Sequence, residues 1–265
     1  MPTPLISNLA STSLSTDIFG WRIPSSGKKK GVVPNIVDVG NEQSIDIASS
    51  MMSHMGIGRE RRRFPGENPG KMFEVAVRDN LREQLHHSEA SREWLVGRGA
   101  STKYFAQYVH LRAIEELMEK SPNRAELRAT IGTDYMVTPD VTVSIPDTTG
   151  LIGNAPWLHA AISCKWTIRS DRVQNIRHEF NGLIRHRRGR QPHLITVTAE
   201  PLPSRIVAIA RGTGELDAVY HVAYDALDQA VKSVGNDKQL ADWEECVNLK
   251  RVLPYEQLAE TLIRW

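Results

Sequence analysis

Cysteine is almost missing from this chain. Two residues, Cys164 and Cys246, in a length of 265 build neither a disulfide framework nor a cysteine-rich zinc site. No stretch approaches the roughly 18 consecutive apolar residues that a membrane span requires. The first residues, Met1-Pro2-Thr3-Pro4-Leu5, lack the basic start and apolar run of a signal peptide. Aromatic residues are only 6% and show no spaced stacking platform for single-stranded nucleic acid. Gly27-Lys28-Lys29-Lys30-Gly31 lacks the spacing of a phosphate-binding loop. His86 and His87 are adjacent rather than four apart, so they do not share a helix face as zinc ligands would. No internal repeat is visible. With 40% hydrophobic and 24% charged residues the expectation is a globular cytoplasmic protein with no membrane partner.

Charge is more telling once it is divided along the chain. The total is +2, but residues 165–190 alone carry a net +6. Residues 1–64 add +3, with tight clusters at Lys28-Lys29-Lys30 and Arg61-Arg62-Arg63. Residues 211–265 hold six basic and ten acidic side chains. Such asymmetry fits a basic face for a polyanion and an acidic face turned away from it. The pattern alone equally fits solvated loops beside an amphipathic helix.

Residues 1–70 are rich in Ser, Gly, Pro and Asn and read as an extended arm or loops, with one short helix near 45–52. Phe73, Val77, Leu81 and Leu85 recur every four residues and predict a helix starting at Pro69-Gly70. A second helix is expected from Lys103 to Lys120, stopped by Ser121-Pro122. Residues 140–145 alternate and end at Pro146, as a strand does. Another strand runs from Leu158 to Lys165, and Ser170 is placed to cap the helix that follows. Strands at 194–198 and 218–222, separated by a short helix near 204–210, complete an alternating pattern. The class is α/β with one mixed central sheet flanked by helices.

Hydrolysis of a phosphodiester calls for a hard divalent cation on oxygen ligands and a lysine near the scissile phosphate. Asp140 opens one strand after Pro139, and Lys165 ends the next, a spacing suited to a hairpin-like connection. Glu179 lies in the following helix and Glu74 on the early one. Taken alone, an aspartate after proline is common turn chemistry and a strand-terminal lysine usually points to solvent. The segment after Lys165 adds specificity. Arg169, Asp171 and Arg172 stand together at a helix start, where arginine can donate to guanine O6 and N7 and aspartate can accept from cytosine N4.

The run Ser163-Cys164-Lys165-Trp166-Thr167-Ile168-Arg169-Ser170-Asp171-Arg172 through Asn175, with Glu179 beyond it, resembles the NgoMIV-type restriction endonucleases. These are type II enzymes, within the PD-(D/E)xK superfamily, whose targets contain a CCGG core. Pro69-Gly70-Lys71-Met72-Phe73-Glu74 is similar too, as are Thr198 through Ile206 and Gly212-Thr213-Gly214. The resemblance implies that Asp140 binds metal, that Lys165 is the active-site lysine, and that Mg²⁺ is the cofactor. Where the superfamily normally has an acidic residue two before the lysine, this chain has Ser163. In this group the carboxylate comes from the helix, at the position of Glu179. Glu74 corresponds to a further acidic residue acting near the metal through water, and the backbone carbonyl of Cys164 to another metal ligand. Arg169, Asp171 and Arg172 match the readers of the CCGG core, and Arg205 and Asp38 stand where outer base pairs are read.

The resulting expectation is a single restriction-endonuclease-like domain over residues 1–265. Residues 1–68 form an arm and DNA-contacting loops, and 69–265 the catalytic core. The substrate would be double-stranded DNA with a CCGG-core palindrome, GCCGGC or a degenerate form of it. A homodimer or a homotetramer of two dimers would read it, and a cognate methyltransferase would act on the same site without binding this chain. Two other readings remain open at this point: a nuclease of the same superfamily that reads structure, and a DNA-binding protein that does not cut.

Overall fold

Strand β1 (Trp21–Arg22) pairs antiparallel with β2 (Val33–Pro34), and helix α1 (Glu42–His54) follows. Helix α2 (Pro69–Ser88) leads to β3 (Leu95–Arg98), two 3-10 turns, α3 (Val109–Lys120) and α4 (Arg124–Ile131). Then come β4 (Val141–Ile145), β5 (Trp157–Lys165), α5 (Ser170–His186), β6 (His193–Thr198) and α6 (Pro203–Ala210). The chain ends with β7 (Ala218–His221), α7 (Tyr224–Val234), α8 (Asp237–Asn248), β8 (Val252–Pro254) and α9 (Leu258–Arg264). This computed structural model describes residues 14, 16–24, 31–61, 68–132, 135–148, 150, 154–212 and 214–265, with only the backbone of residues 170–172. The clusters Lys28-Lys29-Lys30 and Arg62-Arg63 lie outside the described residues.

Six strands form one mixed sheet in the order β3-β4-β5-β6-β7-β8. β3, β4 and β5 are antiparallel neighbours, whereas β5 through β8 run parallel. β5 is therefore the strand where the pairing changes sense. Its interior, Leu158 to Cys164, is buried without alternation, as expected of a strand covered on both faces. Helix α2 buries Phe73, Val77, Leu81 and Leu85, the four residues its periodicity selects. Full burial of such side chains contributes about 1.5–3 kcal/mol each.

Several elements differ from the sequence reading. The short helix near 45–52 is a full α1, capped by Asn41, whose side chain accepts from the Ser44 N–H. It buries Ile47, Ala48, Met51 and Met52 in the same core as Phe19, Trp21 and Ile36, so much of 14–57 packs rather than extends. The helix expected from Lys103 begins at Val109, because Ala106 and Gln107 are drawn to the start of β5: the Ala106 N–H donates to the Pro156 carbonyl at 2.9 Å. Arg169, extended at φ −112°, takes the cap position of α5, and Ser170 is its first helical residue. α4 buries none of its residues and so shows no apolar stripe. β3 and β8 are four- and three-residue edge strands with Gly97 and Pro254 in them, which mutes any strand pattern. Packing is close at Gly97, where a Cβ would meet Thr142 Oγ1 at 3.1 Å.

The fully buried Gln107 acts as a surrogate strand partner. Its Nε2 donates to the Leu158 carbonyl at 2.7 Å and its Oε1 accepts from the Leu158 N–H at 3.0 Å, two residues before β6 begins to pair with β5. Gln107→Ala leaves both backbone groups buried without a partner, at a cost of about 2–4 kcal/mol. Chemical denaturation should show that loss, and a change under about 0.5 kcal/mol would contradict it.

Candidate active site

The sheet itself brings the first two residues together. In the β4–β5 ladder Val141 stands opposite Ile162, so the preceding Asp140 lies beside the end of β5. Its Oδ2 accepts from the Cys164 N–H at 2.7 Å and from Lys165 Nζ at 2.8 Å, with Ser163 Oγ at 3.4 Å. Ser163, where the superfamily pattern has a carboxylate, thus serves as a weak donor to one. On the other side of β4, Arg98 stands opposite Val141, so a third charged side chain reaches the same sheet end.

A cleft of about 490 Å³ opens there, lined by Asn68, Lys71, Glu74, Arg98, Cys164, Lys165, Trp166 and Glu179 among others. Trp166 forms its floor, packed against Phe19 and Phe73 with ring centroids at 4.9 and 5.5 Å. Phe73 points into the core, and its neighbour Glu74 therefore sits at the rim. Glu179 is placed the same way, between the cleft and the buried Ile176–Phe180 stripe of α5. Burial raises the Glu179 carboxyl above the ordinary glutamate range, with Lys165 pulling it down and Asp140 pushing it up. Those last two effects place Glu179 within electrostatic reach of the Asp140–Lys165 pair.

Asp140, Glu74, Glu179 and the Cys164 carbonyl carry hard oxygen atoms, the kind that Mg²⁺ takes. Each of two carboxylates meets a basic side chain: Asp140 meets Lys165, and Glu74 meets Arg98 Nη1 at 2.8 Å. Among the described residues no three His, Cys, Asp or Glu side chains form a ready-made metal cage. The Cys164 thiol is buried, and desolvation holds it well above its usual range, so it is a poor soft ligand. Arg98 was not visible in the sequence, where it is one arginine in a four-residue strand.

The segment beyond β5 places the expected readers. Arg169 is exposed at the start of α5, while the side chains of Asp171 and Arg172 lie outside the described residues. Arg205, on α6, donates to Asp38 Oδ2 at 2.5 Å, bringing together two residues far apart in sequence. That bond is the largest cause of the lowered Asp38 pKa, to which the Arg169 charge also contributes. Arg169, Arg205 and Asp38 are therefore electrostatic neighbours. The basic run of residues 165–190 is spread along the length of α5. α5 has 17 residues, about 25 Å of helix, so Arg185, Arg187, Arg188 and Arg190 sit at its far end. There Arg190 donates to the Trp265 carbonyl at 3.1 Å, next to the end of the chain rather than the cleft. His86 and His87 are exposed on α2, away from the cleft-lining residues.

The family described as NgoMIV restriction enzyme matches residues 23–151 and 148–258. Type II restriction enzyme NgoMIV of Neisseria gonorrhoeae is 38% identical over 253 residues, spanning 84% of this chain and 87% of that protein. Among solved structures, a complex of restriction endonuclease PspGI with substrate DNA aligns at a TM-score of 0.39 and 12% identity, covering 81% of this chain and 70% of that one. A pre-specific complex of restriction endonuclease BsaWI with DNA aligns at 0.30 and 12%, covering 71% and 66%. Assignment rests on the two sequence matches, and by them the chain belongs to the NgoMIV restriction enzyme family.

Proposed function

We propose that this type II restriction endonuclease cuts double-stranded DNA, with Mg²⁺, at a palindromic site with a CCGG core. The observation that carries the reading is the contact of Asp140 with Lys165 at the end of β5, where Lys165 lines a cleft together with Glu74 and Glu179. Asp140, Glu179 and the Cys164 carbonyl would hold the ion, with Glu74 acting through water. When bound, Mg²⁺ neutralises charge on the phosphate and lowers the pKa of the attacking water.

The chain's own groups do the rest. The Asp140 carboxylate holds the Lys165 ammonium at the cleft wall, where it can orient a water and balance negative charge as it develops. Arg98 supplies a second positive charge in the same cleft. Arg169, Asp171 and Arg172 would read the core base pairs, and Arg205 with Asp38 the outer ones. A palindrome has two equal halves, so each protomer reads one and at least a homodimer forms. A dimer of dimers is the second assembly this reading allows. We read residues 1–265 as one domain, acting in the cytoplasm beside a methyltransferase that modifies the same site.

Asp140→Ala should lower Mg²⁺-dependent cleavage by at least about 10²-fold while leaving site-specific binding in Ca²⁺ intact. Gel shifts and cleavage time courses on one duplex separate the two effects, and loss of both would make Asp140 a folding residue instead. Arg169→Ala should weaken binding to the cognate duplex by about 1–3 kcal/mol per half-site and lose discrimination at the core. Equal weakening on every sequence would make Arg169 a phosphate contact and favour a structure-directed nuclease.

A further inference from the structure

A buried carboxylate away from the cleft has no part in the account so far. Glu200, in the turn between β6 and α6, is 0% exposed and lies between the segments that carry Arg169 and Arg205. Its Oε2 accepts from the Ile168 N–H at 2.6 Å, immediately before Arg169. Its Oε1 accepts from the Leu202 N–H at 3.1 Å and lies 3.8 Å from Arg205 Nη1. Arg205 in turn holds Asp38.

We propose that Glu200 is a positioning residue for sequence recognition, locking the start of the core-reading helix α5 to the Arg205–Asp38 pair. The proposal rests on the base-reading roles given above to Arg169, Arg205 and Asp38. Its physical basis is a continuous chain of contacts from Ile168 through Glu200 and Arg205 to Asp38, with one carboxylate at its centre. That carboxylate is itself fixed at the backbone. The Glu200 N–H donates to Thr198 Oγ1 at 3.1 Å. The Glu200 carbonyl faces His221 Nε2 at 3.2 Å, while Nδ1 of the same ring accepts from the Ala223 N–H at 3.2 Å. A neutral His221 with its proton on Nε2 satisfies both bonds, and burial keeps this ring neutral by lowering its pKa to about 4.

Burying a carboxylate costs free energy unless its bonds are specific, and here burial pushes Glu200 up to about 7 against the pull of Ile168 and Arg205. An apolar residue would fill the space without that cost. What it could not do is hold two backbone turns and orient an arginine at once. The connection places both reading elements on one rigid support, so a displacement of either is resisted by the other.

Glu200→Gln is the direct test, because it conserves volume but turns one acceptor into a donor facing a backbone N–H. Cleavage and Ca²⁺ binding would be measured on the cognate duplex, on duplexes changed at one core pair, and on duplexes changed at one outer pair. The expected result is at least about a tenfold fall in discrimination against both changed sets, with KM for the cognate duplex raised and kcat little altered. A residue that only stabilises the fold would lower the melting temperature and the active fraction alike on all duplexes, leaving the ratios unmoved. Ratios within about twofold of wild type therefore overturn the proposal. Glu200→Asp keeps the charge but is one methylene short, and carries the same comparison should the amide variant fail to fold. Wild-type protein without any sequence preference would overturn the underlying reading and this proposal with it.

Discussion

The Asp140 carboxylate accepts from Cys164 and Lys165 at a place where the sheet changes its pairing sense, and that place fixes the rest of the site. β5 has an antiparallel neighbour on one side and a parallel one on the other. The start of β4 and the ends of β5 and β6 therefore meet at a single edge of the sheet. Residues from five separate stretches of chain arrive there without any long loop having to reach across. Lys165 is held by a partner one residue before the β4 ladder begins, so its ammonium is positioned by the end of the sheet.

Charge is paired tightly around that edge. Lys165 with Asp140 and Arg98 with Glu74 alternate sign across the cleft, and Arg205 with Asp38 repeats the pattern beside it. These pairs are only partly exposed, and pairs near the surface contribute little to stability, typically about 1 kcal/mol or less. Their value is in orientation: each holds a long, flexible cation in one place before the polyanion arrives, reducing what must be ordered on binding. Glu200 differs because it is buried and bonded to backbone on both sides, and it links the backbone before Arg169 to the Arg205–Asp38 pair through the interior.

Much of this was legible in the sequence, for reasons that can be named. The four-residue recurrence from Phe73 to Leu85 marked α2, and the alternation of residues 140–145 marked β4. Asp140 and Lys165 stood out by their places at strand ends. Glu179 drew notice only as a carboxylate on the following helix, and its metal-binding role came from family resemblance, because a helical glutamate carries no periodic signal. Arg98 was hidden by a short edge strand, and Glu200 by its position between Ala199 and Pro201 in a run from which Arg205 alone was selected. The basic stretch from 165 to 190 is strung along a helix of 17 residues that carries its two ends apart. Linear charge density is a poor guide once the charges are strung along a helix axis. The segment before α2 was misjudged in the other direction: its Ser, Gly and Asn content concealed Ile36, Ile47 and Met51, which are wholly buried.

The central claim is sequence-specific, metal-dependent cleavage. Purified protein should be incubated with phage and plasmid DNA in Mg²⁺ and in EDTA, and the product ends sequenced. Discrete fragments in Mg²⁺ alone, with ends that share a CCGG core, are the predicted result and would also reveal the flanking pairs. DNA left intact in Mg²⁺, or degraded to a smear with no common end sequence, would contradict the account.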